Sequence, residues 1–251
     1  MPRDWDAATY QRLSAPLEAM GRDVLWRLEL DGDETVLDAG CGTGRVTAVL
    51  AERLPRGRVI AVDGSPAMVE QARERLPRSV EVRVADLLEL TVDEPVDAIV
   101  STATFHWILD HDTLFTRIRD ALKPGGRLVA QCGGEGNVAA VKAAGLELAR
   151  EEPFASHLHA KPADWKFASP RETEERLRRL GYEDVWCWAT RVDVALDDPE
   201  GYLGAICLGS FLEELPAELH EPFVSAAVER LGTPLTLEYV RLNILARAPR
   251  A

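Results

Sequence analysis

Along most of the chain, short apolar runs of four to six residues alternate with longer stretches whose apolar positions recur every three or four residues. Runs of the first kind read as buried strands and the longer ones as crossover helices, so the pattern predicts a parallel sheet. Strands are expected at Thr35–Asp38, Arg58–Val62, Val80–Val84, Val96–Ser101 and Arg127–Gln131. Helices are expected between them at Arg45–Arg53, Pro66–Leu76 and Asp112–Leu122. Ser65 stands as N-cap before Pro66, and Lys123-Pro124-Gly125-Gly126 closes the third helix.

The flanks follow a different pattern. From Ser14 to Leu30, apolar residues at Leu17, Met20, Val24, Leu25 and Leu28 suit a helix on the sheet that could also cover a ligand. After the fifth strand come a helix around Asn137–Arg150, an irregular stretch over Glu151–Ser169, a helix at Pro170–Leu180 and a strand near Val185–Val194. Helical segments over Pro199–Leu212 and Pro216–Leu231 precede a last strand, about Leu235–Arg247. What separates the last two strands is too long for a hairpin loop. It is therefore read as part of a cap over the carboxyl ends of the strands, supplied by about 133–170 and 197–233. No linker is evident, so residues 1–251 are expected to form a single domain with an N-terminal arm over about 1–14. The expected architecture is α/β: a doubly wound, Rossmann-like sheet of seven strands, mostly parallel with an antiparallel last strand, plus the helical cap.

Composition narrows the function. The chain has 251 residues, 46% of them hydrophobic, enough for one sizeable core. Its 42 acidic against 29 basic residues give a formal charge of −13, which argues against a nucleic-acid partner and points to a small molecule. A locally basic pocket is still compatible with that charge. Cys41, Cys132, Cys187 and Cys207 form no CxxC pair, and His157 and His159 have no acidic or cysteine partner at ligand spacing, so neither a metal nor a disulfide framework is expected. Met1–Asp6 does not open a secretory leader, and no apolar run approaches the roughly 18 residues of a membrane span. A cytoplasmic protein, monomer or homodimer, away from membranes is the expectation.

The strongest motif is Val36-Leu37-Asp38-Ala39-Gly40-Cys41-Gly42-Thr43-Gly44, a strand entering a glycine turn that opens a helix. Glycines let backbone approach a ligand, and the amides of a helix start favour an anionic or polar group. A dinucleotide fingerprint would place its third glycine where Arg45 stands. Asp63, ending the second strand, is placed to accept from both ribose hydroxyls. Asp86, after the third strand, suits an exocyclic adenine amine while Leu87 packs on the ring. Each carboxylate could instead simply begin a turn or a helix.

Leu37–Gly44, Asp63-Gly64-Ser65-Pro66-Ala67-Met68, Ala85-Asp86 and Leu122–Gly126 together resemble the class I S-adenosylmethionine-dependent methyltransferases over roughly residues 20–131. The resemblance implies S-adenosylmethionine as cofactor, S-adenosylhomocysteine as product and a small-molecule methyl acceptor. It sets Asp38 and the turn Gly40, Cys41, Gly42, Thr43 and Gly44 at the methionine part. Asp63 and Gly64 would hold the ribose, Ala85, Asp86 and Leu87 the adenine, and Met68 would pack near the adenosine.

A narrower resemblance rests on Asp4-Trp5-Asp6 with Tyr10, Thr104-Phe105-His106-Trp107-Ile108 and Asp110–Phe115. These are similar to the trans-aconitate 2-methyltransferase group, whose members methylate carboxylates of small acids. That group carries Gln where His106 stands here and Asn near Thr102. By this resemblance Tyr10 and Thr102 lie on the cofactor side, while Trp5, His106 and Trp107 face the acceptor. Trp5 and Tyr10 would form a flap over the sulfonium, where cation–π attraction is about 0.5–2 kcal/mol. His106 could orient a carboxylate, act as base toward a phenol, enol or amine, or be a structural histidine. Lys142, Lys161, Lys166 or Arg191 could clamp an acid, and Trp186 and Trp188 are read as packing. A natural-product O-, N- or C-methyltransferase and a non-catalytic cofactor-binding scaffold are the alternatives.

Overall fold

The computed structural model describes the backbone of residues 15–158 and 165–250, with side chains from Met20 onward. Trp5, Tyr10, His159 and Lys161, named above, lie outside the described residues. Helix α1 (Ala15–Leu25) precedes β1 (Thr35–Ala39), α2 (Arg45–Glu52), β2 (Arg58–Asp63), α3 (Pro66–Arg75) and β3 (Glu81–Val84). The alternation continues through β4 (Val96–Thr102), α4 (His111–Ala121), β5 (Leu122–Gly133), α5 (Ala139–Leu148) and α6 (Pro170–Arg179). Strands β6 (Glu183–Ala195) and β7 (Thr236–Arg247) complete a seven-stranded sheet of order β3-β2-β1-β4-β5-β7-β6. Neighbours among β1–β5 pair in parallel, and β7 runs antiparallel to both β5 and β6. This is the mostly parallel sheet with a reversed last strand that the pattern predicts.

Alternate residues of one strand feed opposite layers. Leu37 faces a cluster with Ile99, Leu114, Phe115, Ile118 and Leu177 beneath α4 and α6. Val36 faces Val24, Leu25, Leu28 and Leu50 of the α1 and α2 side. One expectation needs correcting. Lys123-Pro124-Gly125-Gly126 does not end a helix outside the sheet but lies inside β5, because Leu122 already pairs with Val96 before the register shifts to Ala98 with Arg127. Such an irregularity inserts residues into one strand without ending the pairing.

A third cluster belongs to α5, the short helices Pro199–Tyr202 and Gly209–Leu212, the π turn Leu203–Cys207 between them, and α7 (His220–Leu231). Fully buried Phe223 anchors it, with Phe154 and Phe211 at ring-centroid distances of 5.0 and 5.5 Å. The order of strands reverses between β1 and β4, which opens a crevice at their carboxyl ends, the usual ligand position in open α/β sheets. Among the described residues no helix is long and apolar enough to cross a membrane.

Candidate active site

Three turns converge at the crevice. Gly40, Gly42 and Gly44 all have positive φ, so the turn after β1 is closed to most side chains. A Cβ at Gly40 would come 2.1 Å from Thr104 Oγ1, which donates within hydrogen-bond reach of the carbonyls of Gly40 (3.2 Å) and Thr102 (3.0 Å). The turn after β1 therefore rests directly on the turn after β4. Asp63 ties it to the next loop: Gly42 N–H donates to Oδ2 and Ser65 N–H to Oδ1, each at 2.9 Å. Burial raises the Asp63 pKa, opposed by these amides. Ser65 caps α3 through Met68 N–H at 3.3 Å, as its position before Pro66 predicts.

Around these turns lies a cavity of about 670 Å³, within the range of small-molecule sites of about 300–1,000 Å³. Gly40 through Thr43, Asp63, Gly64, Met68, Ala85, Asp86, Leu87, Thr102, His106 and Trp107 all line it. Asp86 also accepts from Leu88 N–H at 2.9 Å, so it starts a turn and faces the cavity at once. Asp38 and Gly44 do not line it. Gly44 precedes α2 and lies against Leu76. Asp38 is 1% exposed beneath the turn, its Oδ2 accepting from Thr47 Oγ1 at 2.7 Å and its Oδ1 without a partner among the described residues. Burial raises its pKa to about 6. The Asp38 side chain thus meets α2 through Thr47 and does not reach the cavity lining.

The other half of the cavity is built by the 3₁₀ turn Phe105–Trp107, the 165–167 segment, β7 and the cap. Nδ1 of buried His106 accepts from Gly133 N–H at 3.2 Å. Burial, then the charge of Arg241, hold the His106 pKa well below its ordinary value, so the ring is neutral at pH 7. With Nδ1 used as acceptor, the proton of the neutral ring sits on Nε2. Aromatic rings continue from His106 to Trp107 (5.1 Å between centroids) and Phe167 (5.7 Å), and Trp165 stands 5.9 Å from Trp107 and 5.7 Å from Phe167. Lys166 N–H donates to the His106 carbonyl at 2.8 Å and pins this segment to the turn.

Sequence reasoning missed Arg241. It lines the cavity from β7 at 3% exposure, its Nε 3.3 Å from Gln131 Oε1. The available signal was a lone arginine alternating with apolar residues in Val240-Arg241-Leu242-Asn243-Ile244. Behind it, Asn243 Oδ1 accepts from Gln131 Nε2 at 2.8 Å and from Arg27 at 2.5 Å. The basic residues expected as clamps stand elsewhere among the described residues. Arg191 pairs with Glu238, Lys166 lies 3.2 Å from Glu172, and Lys142 stands 5.9 Å from the Trp165 and Phe167 ring centroids without lining the cavity. Trp186 and Trp188 stack at 4.3 Å on β6, outside the cavity.

Two non-glycine residues of the lining, Ala103 and Val138, have φ of 56° and 44°. For β-branched Val138 this is a strained backbone, and such strain concentrates at functional sites. The cap adds Ile206, Cys207, Ser210 and Glu213 to the lining, together with Tyr239 of β7, whose hydroxyl is 2.7 Å from that of Tyr202.

Residues 36–126 match the methyltransferase domain family. Over 91% of its length the chain is 31% identical to a trans-aconitate 2-methyltransferase of Variovorax paradoxus, covering 89% of that protein. It is also 31% identical to a trans-aconitate 2-methyltransferase of Methylobacterium nodulans, over 98% of this chain and 99% of that one. Among solved structures, phosphoethanolamine N-methyltransferase 2 of Haemonchus contortus in complex with S-adenosyl-L-methionine superposes with a TM-score of 0.58 at 19% identity. That match covers 97% of this chain and 57% of that one. A methyltransferase of Bacillus halodurans gives a TM-score of 0.61 at 17% identity, over 92% and 99%. At such identities the two structures share the fold.

Proposed function

The chain belongs to the S-adenosylmethionine-dependent methyltransferases, in the trans-aconitate 2-methyltransferase family, and we propose that it methylates a carboxylate oxygen of a small organic acid. The observation that carries this reading is the pair of donors in the acceptor half, the guanidinium of Arg241 and the neutral His106 ring with its proton on Nε2. Charge-assisted donors of this kind select an anionic oxygen.

The residues present fit the cofactor. Gly42 has nothing within 4 Å of where a Cβ would stand, so the turn keeps open space on the cavity side, and Asp63 is fixed beside it by two amides. We assign the glycine turn to the methionine part, Asp63 to the ribose and Asp86 with Leu87 to the adenine. When bound, S-adenosylmethionine supplies a methyl on a cationic sulfur, which the carboxylate oxygen takes while the carbon–sulfur electron pair stays on the neutral thioether.

No proton moves in that exchange, because a carboxylate is ionised at neutral pH. The site therefore needs no base, and alignment with water exclusion does the catalytic work. Arg241 holds one carboxylate oxygen and leaves the other to react. The rings of Trp107, Trp165 and Phe167, with the cap, keep the acceptor half dry.

The test is an assay of S-adenosylhomocysteine formation by the full chain with small carboxylic acids, phenols and amines, with the product identified by mass. Methyl esters are expected. Turnover of phenols or amines with every acid inert would overturn the assignment.

A further inference from the structure

Asn137 is a buried carboxamide of the cavity wall, carried by the loop between β5 and α5. Backbone bonds tie that loop down on three sides. Gly134 N–H donates to the Val240 carbonyl and Asn137 N–H to the Gly134 carbonyl, each at 2.9 Å, and Glu135 N–H to the Ala168 carbonyl at 3.1 Å. Gly133 is the last residue of β5 to pair with β7, and beyond it a side chain continues the ladder: Val240 N–H donates to Asn137 Oδ1 at 3.0 Å. Val138, with φ of 44° and its N–H on the Glu238 carbonyl at 3.3 Å, turns the chain from this loop into α5. That conformation is costly for a β-branched residue and persists where the surroundings enforce it.

A carboxamide and an imidazole can each face a ligand as donor or as acceptor. Backbone amides remove the choice in both. Val240 N–H occupies the oxygen of Asn137, and Gly133 N–H occupies Nδ1 of His106. What Asn137 can still offer is the two N–H bonds of Nδ2, and what His106 can still offer is Nε2–H. The two side chains meet around Gly133, where a Cβ would stand 2.9 Å from Asn137 Nδ2 and 2.7 Å from Phe167, whose ring stacks on His106 at 5.7 Å. Two neutral groups held as donors by the backbone suit an oxygen that only accepts, and an ionised carboxylate is acceptor-only.

Resting on the carboxylate reading above, we propose that Asn137 is a specificity-determining residue of the acceptor site, its Nδ2 donating to the acid's carboxylate alongside Nε2 of His106. A carboxylate held through one contact still turns about its carbon–carbon bond. Donors from two separate elements fix its plane, and with it the angle at which the reacting oxygen meets the methyl. A phenol or an amine brings a hydrogen of its own, for which these two side chains provide no acceptor, so Asn137 favours the ionised acid over both.

The experiment compares Asn137→Asp and Asn137→Ala with the native full chain, using the best acceptor among trans-aconitate, citrate, benzoate and cinnamate. It follows S-adenosylhomocysteine and the mass of the ester, with melting temperature and S-adenosylmethionine binding measured on each protein. Asn137→Asp keeps an oxygen for Val240 N–H and loses the donor, so it should melt close to the native chain, whereas Asn137→Ala loses both and should melt lower. At pH 8, kcat/KM should fall about tenfold in Asn137→Ala and further in Asn137→Asp, with cofactor affinity near native in both. Between pH 8 and 6 the kcat/KM of Asn137→Asp should rise relative to native, because a protonated carboxyl can donate again. A folded Asn137→Asp with native kcat/KM at pH 8 overturns the inference and leaves Asn137 as part of the ladder alone. Where Asn137→Asp melts too low to assay, native kcat/KM in Asn137→Ala overturns it equally. If the native chain binds cofactor and methylates none of the four acids, the carboxylate reading itself fails.

Discussion

The amide of Gly133 donates to Nδ1 of His106 over 3.2 Å, and this one bond decides which ring nitrogen offers a proton to the acceptor. To serve as a base, Nε2 would need a free lone pair, which moves the proton to Nδ1, where the Gly133 N–H already points. The depressed pKa keeps the ring neutral well below pH 6.5, so no charge change of His106 falls between pH 6.5 and 9. His106→Ala is expected to lower kcat/KM by tenfold to a hundredfold, the loss of a hydrogen bond to a charged group worth about 1.5–3 kcal/mol. His106→Gln, which can still donate, should recover most of that loss. A pH–rate profile rising between pH 6 and 8 in the native chain and flat in His106→Gln would instead mark His106 as a base.

Two glycines of one turn should respond differently to alanine. At Gly40, with φ of 87°, a Cβ strikes Thr104 at 2.1 Å. Backbone strain of about 1–2 kcal/mol and overpacking of about 1–3 kcal/mol should both reduce stability. Gly42→Ala meets nothing within 4 Å, so only the strain of its φ of 53° remains. Its methyl enters the space assigned to the cofactor. Thermal melts should show Gly40→Ala well below Gly42→Ala, while calorimetry should show Gly42→Ala binding S-adenosylmethionine at least tenfold more weakly than the native chain. Normal affinity in Gly42→Ala would remove the glycine turn from the cofactor site.

These residues also show how far the sequence could be read. The places of Gly40, Gly42, Asp63 and Asp86 on the cavity are legible because each stands within a few residues of a strand end, where the local pattern and the direction of the chain fix its position. Asp38 lies in the same motif, but whether its side chain reaches the cavity depends on the strand face it occupies, and it turns to Thr47 on α2. Arg241 was invisible for the opposite reason. Its value comes from standing next to Gln131 across two antiparallel strands whose pairing no local signal announces. The tautomer of His106 likewise depends on Gly133, a residue of the neighbouring strand.

Asp38 sets a pH dependence of stability. Its folded pKa of about 6 lies above the ordinary 3.8, so the native state holds a proton that the unfolded chain has released between those values. Stability from this group is complete below pH 3.8 and is lost as pH rises through 6, a change of about 3 kcal/mol for the shift of about two units. Asp38→Asn removes the buried charge. Its melting temperature should vary less than that of the native chain between pH 4.5 and 7, and should exceed it at pH 7.5. Parallel curves for the two proteins would show that Asp38 does not titrate in this range.

Asn243 connects the sheet to the acceptor site. Fully buried, it accepts from Gln131 and Arg27 and donates to the Trp188 carbonyl (3.3 Å) and Thr190 Oγ1 (3.0 Å). Gln131 in turn receives the Nε of Arg241, so removing Asn243 frees the group that holds the guanidinium in place. Asn243→Leu leaves the Gln131 amide and the Arg27 guanidinium without their common acceptor, at about 1–3 kcal/mol for each buried donor left unsatisfied. The fold should survive with a lower melting temperature. Because Asn243 touches neither ligand, its catalytic signature should be selective: a raised KM for the acid with kcat and S-adenosylmethionine affinity near normal. Asn243→Asp, which keeps the one oxygen that accepts from Gln131 and Arg27 but loses the donor to the Trp188 carbonyl, should restore the KM while leaving the melting temperature low. If Asn243→Leu weakens cofactor and acceptor binding alike, the ladder is only structural and Arg241 does not depend on it.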